Sequence, residues 1–279
     1  TTGANNVAVG ATALDESTTG TENTAIGVNT LGHVTTGSYN TAVGKDAGRD
    51  YTTAASLVAI GHSALRGNTT GSSNTAVGVD ALIANTTGTQ NTAIGLGAGN
   101  LTTTGSNNIM IGKGSDADAV GTNNVIAMGE NVVSILNAFT FGAGGNDSRI
   151  AFGATSITAP SDQRLKEDIQ DDTAGLSFIN DLRPVTYKWR QEKDIPSEMR
   201  THVAGSTKRY NNDKVNHGFI AQEVKEAIDK HPELKDGFDM WTEESTMDGR
   251  QRVAEGALIP MLVKAIQELK AEIELLKNK

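Results

Sequence analysis

Hydrophobic and polar positions alternate on two different rhythms along the 279 residues. In the first half, Gly10, Gly27, Gly44, Gly61, Gly78, Gly95, Gly112 and Gly129 recur every 17 residues without a slip. The phrases ending on them read NVAVG, NTAIG, NTAVG, LVAIG, NTAVG, NTAIG, NIMIG and VIAMG. A second glycine, usually closing a Thr-Thr-Gly turn, stands seven residues earlier at 3, 20, 37, 71, 88 and 105. Leu14, Leu31, Leu65 and Leu82 follow four residues after the phrase glycine. A 17-residue period is too short for paired-helix repeats. Short β-type runs broken by Gly and Asn, residues that tolerate positive φ, predict strands and turns. Stacked, they form a parallel β-roll or β-solenoid. At about 4.8 Å per coil, eight coils make a rod about 40 Å long.

Within each phrase, Val or Ile precedes the glycine, with Met128 in the last, and Ala precedes that residue everywhere except at Met110. Neighbours in a strand face opposite ways. One face thus carries a branched apolar ladder and the other a ladder of very small residues. The small ladder is expected to lie against identical coils of neighbouring chains around a symmetry axis. The alternative is a monomeric solenoid whose Ala side faces water. Residues 131–160 break the period. The runs 132–136, 139–141 and 149–152 predict short strands separated by glycines, a fibre tip or junction.

The second rhythm begins at Ser161. Residues 162–169 are charged and compatible with a helix, and Leu176, Ile179 and Leu182 stand at helical spacing over 174–182. Residues 185–189 and 217–221 alternate like strands, 191–216 read as a polar loop, and 222–230 as a helix stopped at Pro232. From about 257 to 279 the pattern is one long helix. Its Ile259, Leu262, Ile266, Leu269, Ile273 and Leu276 make a coiled-coil seam of nearly three heptads. Ile at a and Leu at d lean by themselves toward two strands. Packing of that face on its own domain is the alternative. The fold class is thus mainly β over 1–160, with eight repeats in 1–130, followed by an α+β domain over 161–279.

Composition sharpens the boundary. Residues 1–160 hold 25 of the 31 glycines but only 15 charged residues, whereas 161–279 hold 42. The net charge of -9 argues against a nucleic-acid partner, which needs a basic excess to neutralise phosphates. There are no cysteines, so disulfides and thiolate metal sites are excluded, and no metal site or cofactor is expected. No apolar run reaches membrane-spanning length, so no membrane insertion is expected. The chain opens inside a repeat, as expected of a piece of something longer.

The repeats over about 1–130 resemble the head repeats of trimeric autotransporter adhesins, which are left-handed parallel β-rolls in a trimer, and repeats of phage tail-fibre proteins. Four later stretches resemble successive landmarks of one family: SDQRLKEDI from Ser161, LRPVTY from Leu182, HGFIAQEV from His217 and ALIPMLVKAIQEL from Ala257. That family is the intramolecular chaperone auto-processing domain of phage endosialidases, tail fibres and neck appendages, also found in a eukaryotic membrane-anchored transcription factor that regulates myelin genes.

The resemblance implies a serine-lysine dyad with Ser161 as nucleophile, Lys166 as base and the cut between Pro160 and Ser161. A serine hydroxyl needs a base to become a nucleophile. Lysine serves only when desolvation or nearby positive charge lowers its pKa, and Arg164 is a candidate for that charge. From the residues alone, the favoured reading is Ser161 as a helix N-cap and Lys166 as a solvated lysine. The expected protein is a phage tail fibre, located in the virion, that forms a homotrimer and binds a host surface receptor, either a polysaccharide or an outer-membrane component. Its chaperone would be made in the host cytoplasm and released after one autoproteolytic turnover. A bacterial adhesin carrying the same chaperone is the alternative, disfavoured by the lack of a membrane-anchor barrel pattern. A polysaccharide-degrading enzyme lacks paired carboxylates in the repeats, and ice or mineral binding lacks a flat Thr-x-Thr ladder.

Overall fold

The computed structural model describes residues 2–144, 146–154, 156–159, 161–234, 238, 240–243 and 251–278. The chain forms two compact units, Thr1–Lys166 and Glu167–Lys279.

The first unit is a β-solenoid. Its phrases form three-residue strands: β1 Val7–Val9, β2 Thr24–Ile26, β3 Thr41–Val43, β4 Val58–Ile60, β5 Thr75–Val77, β6 Thr92–Ile94 and β7 Ile109–Ile111. Each pairs in parallel with the next at a register of 17 residues, so that Ala25 faces Ala42 and Ala42 faces Ala59. The phrase glycines hold φ between 122° and 139°, a region that favours glycine. A Cβ on Gly44 would also lie 2.6 Å from the Gly61 carbonyl oxygen of the next coil. Conformation and clearance both require glycine there.

The two faces are the reverse of the expectation. The Ala ladder at 25, 42, 59, 76, 93 and 127, with Met110, is fully buried inside the coil, while Val9 is 56 % exposed and Ile26 40 %. The reason is the width of the coil. Leu31, Leu65 and Leu82 already reach into its interior, leaving room opposite them for a methyl group only. Those leucines hold φ near 50°. The left-handed backbone costs about 1–2 kcal/mol, and burying a leucine returns about 1.5–3 kcal/mol, so burial wins narrowly. Where the leucine column holds Gly99, Met110 takes the space: a Cβ on Gly99 would lie 2.9 Å from Met110 Cε. Where it holds Gly48, Tyr51 does the same, 2.8 Å from such a Cβ at its Cε2.

The asparagine that opens a phrase is not a turn residue. The residue before it takes the positive φ, as Glu22, Tyr39 and Gln90 do, and at 23, 40, 74, 91 and 108 the asparagine itself is buried. Asn91 Nδ2 donates to the Gly105 carbonyl at 2.8 Å, and Asn91 Oδ1 accepts from the Asn108 backbone N–H at 3.1 Å. Asn23, Asn40, Asn74 and Asn108 repeat one or both contacts to the next coil.

The solenoid closes on a shortened coil. β9 Val125–Glu130 pairs in parallel with β11 Ala138–Ala143, matching Gly129 to Gly142. β11 then turns back into β12 Asn146–Ala151, the antiparallel end of a ten-stranded sheet. Two short strands, β8 Asp116–Ala117 and β10 Val133–Ser134, pair beside it.

The second unit is a small α/β fold. Helix α1 Leu176–Asp181 and helix α2 Ala221–Lys230 form as expected from their apolar spacing. The expected strands shrink to β13 Val185–Tyr187 and β14 Asn216–Gly218, paired antiparallel. A further antiparallel pair, β15 Trp241–Glu243 with β16 Gln251–Val253, lies outside the strands that the alternation predicts. The expected helix over 162–169 is not formed; only a 3-10 turn, Gln163–Leu165, exists. One turn is below the length at which an isolated helix is stable, and its Leu165 finds no apolar surface to cover, remaining 71 % exposed.

Helix α3, Ile259–Lys277, docks through Met261 and Ala265, which are buried. Its Glu268 Oε2 accepts the Leu176 N–H at 2.8 Å, capping α1 from outside. Any Cβ at Gly175 would run into that carboxylate, so glycine clears the approach. The seam residues point elsewhere: Ile266 is 65 % exposed, and Ile259, Leu262, Leu269, Ile273 and Leu276 are exposed with it.

Two stability changes follow. The Tyr51 hydroxyl is buried without a hydrogen-bond partner among the described residues. An unpartnered buried hydroxyl costs about 1–3 kcal/mol, so Tyr51→Phe is expected to raise the thermal midpoint. Asn91→Ala deprives the Asn108 N–H of its acceptor and is expected to cost about 1–3 kcal/mol, read as a lower denaturant midpoint.

Candidate active site

Ser161 and Lys166 are brought together by the short turn between them. Asp162 caps it: its Oδ1 accepts the Arg164 N–H at 2.9 Å. Leu165 N–H donates to the Asp162 carbonyl at 3.0 Å and Lys166 N–H to the Gln163 carbonyl at 3.1 Å. The chain then returns to extended backbone at Lys166, with φ -123° and ψ 139°. The turn reverses direction, and Lys166 Nζ donates to Ser161 Oγ at 2.8 Å. The cap role considered for Ser161 therefore falls to its neighbour Asp162, which leaves the serine hydroxyl for the lysine.

That separation is within the reach that proton transfer from a nucleophile to a base requires. Both side chains are exposed to solvent in the single chain. Arg164 is not free to act on Lys166. Its Nη2 lies 2.6 Å from Asp162 Oδ2 and its Nε 3.0 Å from Oδ1. The guanidinium and the Arg164 N–H hold the Asp162 carboxyl below the usual carboxylate range, and the pairing raises Arg164 in turn. The two charges satisfy each other beside the dyad. Pro160, on the other side of the expected cut, lies outside the described residues.

Two of the landmark stretches, those from Leu182 and from His217, meet around a shallow cleft of about 450 Å³, with Pro184, Thr186, His217, Phe219 and also Glu255 in its walls. Arg183 and Glu223, from two different landmarks, form a forked ion pair, with Arg183 Nε 3.0 Å from Glu223 Oε2. The stretches from Leu182 and from His217 thus meet at a joint of the small fold. No group of His, Asp and Glu suited to a metal ion occurs among the described residues, and no described helix is long and apolar enough to cross a membrane. The capping role of Asp162 was missed from sequence, although an aspartate two residues before the Arg164 N–H is the available signal.

A model of the family described as chaperone of endosialidase matches residues 161–232. Domains of that family are self-cleaving and serine-peptidase-like. The match begins on the serine that Lys166 contacts. No curated protein and no solved structure matches the chain.

The cap can be checked directly. Asp162→Ala is expected to speed amide hydrogen exchange at Arg164, and Asp162→Asn, which keeps an acceptor, to restore protection.

Proposed function

We propose that the region from Ser161 onward is a removable intramolecular chaperone of a homotrimeric fibre, and that it cuts itself off between Pro160 and Ser161. The observation that carries this reading is the 2.8 Å contact of Lys166 Nζ with Ser161 Oγ at the start of the family match. In the first step the neutral Lys166 amine takes the hydroxyl proton while Ser161 Oγ bonds to the Pro160 carbonyl carbon. The Pro160–Ser161 C–N bond then breaks, and the Ser161 nitrogen leaves as an amine carrying a proton from Lys166. Water hydrolyses the resulting ester, freeing the Pro160 carboxylate and the Ser161 hydroxyl. One turnover exhausts the substrate.

In the single chain Lys166 Nζ donates to Ser161 Oγ, and both side chains face water. Conversion of the lysine to a base calls for water to be excluded, and exposed Leu165 beside the dyad offers a surface for a neighbouring copy to cover. On this reading cutting waits for assembly. The assembly surfaces are two unpartnered apolar stripes: the outward ladder of Val9, Ile26, Ile60, Ile94 and Met128, and the α3 seam. The choice of three chains comes from the resemblance of the repeats and chaperone to trimeric proteins.

A registering domain is useful because each coil resembles the next. Identical coils from separate chains can pair out of step, and non-local pairing is slow and prone to aggregation. Chains aligned at one end coil from a common register. Removal of the aligning domain then leaves a kinetically trapped product. A fibre of this kind suits the distal part of a phage tail, in the virion, where it would meet a host polysaccharide or outer-membrane component.

Two experiments test the reading. Wild-type protein is expected to give two fragments on a denaturing gel, one with a new N-terminus at Ser161 by mass spectrometry, and Lys166→Ala to stay full length. Equal cutting of Lys166→Ala would remove the dyad. Ile266→Glu with Ile273→Glu is expected to abolish the trimer mass in light scattering and to slow cutting with it; an unchanged mass would take the seam out of assembly.

A further inference from the structure

The strand that ends the solenoid grips the segment leading to Ser161. Arg149, in β12, exchanges both backbone hydrogen bonds with Thr158: Arg149 N–H to the Thr158 carbonyl and Thr158 N–H to the Arg149 carbonyl, each 2.7 Å. Thr158 Oγ1 adds a third contact, to the Arg149 carbonyl at 3.1 Å. This pair is an isolated bridge on the outer edge of the sheet, with no strand continuing it.

The Arg149 side chain runs the other way, into the last coil. Its Nε donates to Thr140 Oγ1 at 3.0 Å, and Thr140 Oγ1 donates to Ser134 Oγ at 2.9 Å. Thr140 and Ser134 are both fully buried. One residue thus joins β10 and β11 to the segment that ends at the dyad. Ser161 is three residue steps from Thr158, and an extended chain covers at most about 11 Å in that length. Wherever the bridge forms, Ser161 is confined to that distance from the closed end of the solenoid.

We propose that Arg149 and Thr158 form a positioning clip that presents the scissile segment to Ser161 and Lys166 only after the β11–β12 hairpin has closed. This rests on the self-cleavage reading above. Without the hairpin there is no edge for Thr158 to bind, and the residues before Ser161 are a free tether. A free tether rarely holds a carbonyl in line for attack, whereas a pinned one does so at small entropic cost. The clip therefore makes completion of the solenoid, and not merely assembly of the chaperone, a condition for the cut. After the cut Thr158 stays with the solenoid, where it covers part of an edge that would otherwise be open to foreign strands.

The test compares first-order rates of appearance of the Ser161 N-terminus, by mass spectrometry, in the full chain. Thr158→Pro removes the N–H that Arg149 accepts and is expected to slow cutting about tenfold or more. Thr158→Val keeps the N–H and the branched shape and is expected to recover most of the wild-type rate. Arg149→Ala keeps the backbone bridge but frees it from Thr140 and is expected to fall between. Each change is also made with Ser161→Ala, so that the thermal midpoint and oligomer mass of uncut protein are read separately. A slower cut at unchanged midpoint and mass, with rescue by valine, supports the clip. If Thr158→Pro lowers the midpoint, Arg149→Ala decides, because it leaves the backbone intact. Wild-type rates in Thr158→Pro, or in Arg149→Ala when that variant decides, remove the clip and leave the dyad standing. A wild-type chain that is not cut, or a Lys166→Ala chain cut equally fast, removes the dyad reading and the clip with it.

Discussion

The solenoid depends on one close approach: coil against coil at the phrase glycines, with no room for a Cβ between them. Gly44 stands over Gly61 at a separation that a methyl group would destroy. Everything else in the first unit is arranged to keep that spacing. The strands pair in register because the glycines do. The asparagines span the same gap with two hydrogen bonds each, buried where an unmade bond costs most. The alanines fit because coils this narrow have no space for a larger side chain opposite leucine. Where leucine gives way to Gly48 or Gly99, Tyr51 or Met110 restores the lost volume, which keeps the stack from collapsing locally.

Such regularity has a consequence for folding. Each coil presents almost the same surface to its neighbours, so local chemistry scarcely distinguishes correct register from a slip of 17 residues. Information about register must enter at an end. The shortened coil and antiparallel hairpin at β11 and β12 supply one end, because no other part of the solenoid can pair with them in the same way. A second unit with an exposed apolar seam on α3 is suited to supply the alignment between chains. The contact of Lys166 with Ser161 lies between these two features along the chain, which on the proposed self-cleavage reading places the cut where completion of both would bear on it.

The dyad itself is economical. A capped turn of three residues, held by Asp162, is enough to fold Lys166 back onto Ser161. The same aspartate neutralises Arg164, so positive charge from that side chain is not what would make Lys166 a base. Desolvation is the remaining physical route, and in a single chain the pair is open to water. The single chain thus has the contact geometry but not a water-excluding environment. On the proposed self-cleavage reading, that lack keeps the chain idle until its substrate is finished.

Much of this was legible in the sequence. The 17-residue glycine spacing determines a stacked parallel coil, because only glycine satisfies that backbone and that clearance together. The change in charge and glycine content marks a new folding problem near Ser161, and the steps of three between Leu176, Ile179 and Leu182, like the steps of three and four in the last helix, identify α1 and α3. Tertiary structure alone decided which way the repeat faces. Period-2 alternation states that Ala25 and Ile26 point oppositely, but not which side is inside; the width of the coil, set by Leu31 and its counterparts, sends the larger residue out. It likewise decided that the phrase asparagines are buried ladders and not turns, since their partners lie a whole coil away. It decided, too, that Asp162 and not Ser161 caps the turn. A lysine five positions after a serine fits an extended chain, a helix or a turn, and only in the last do the two side chains meet as they do here.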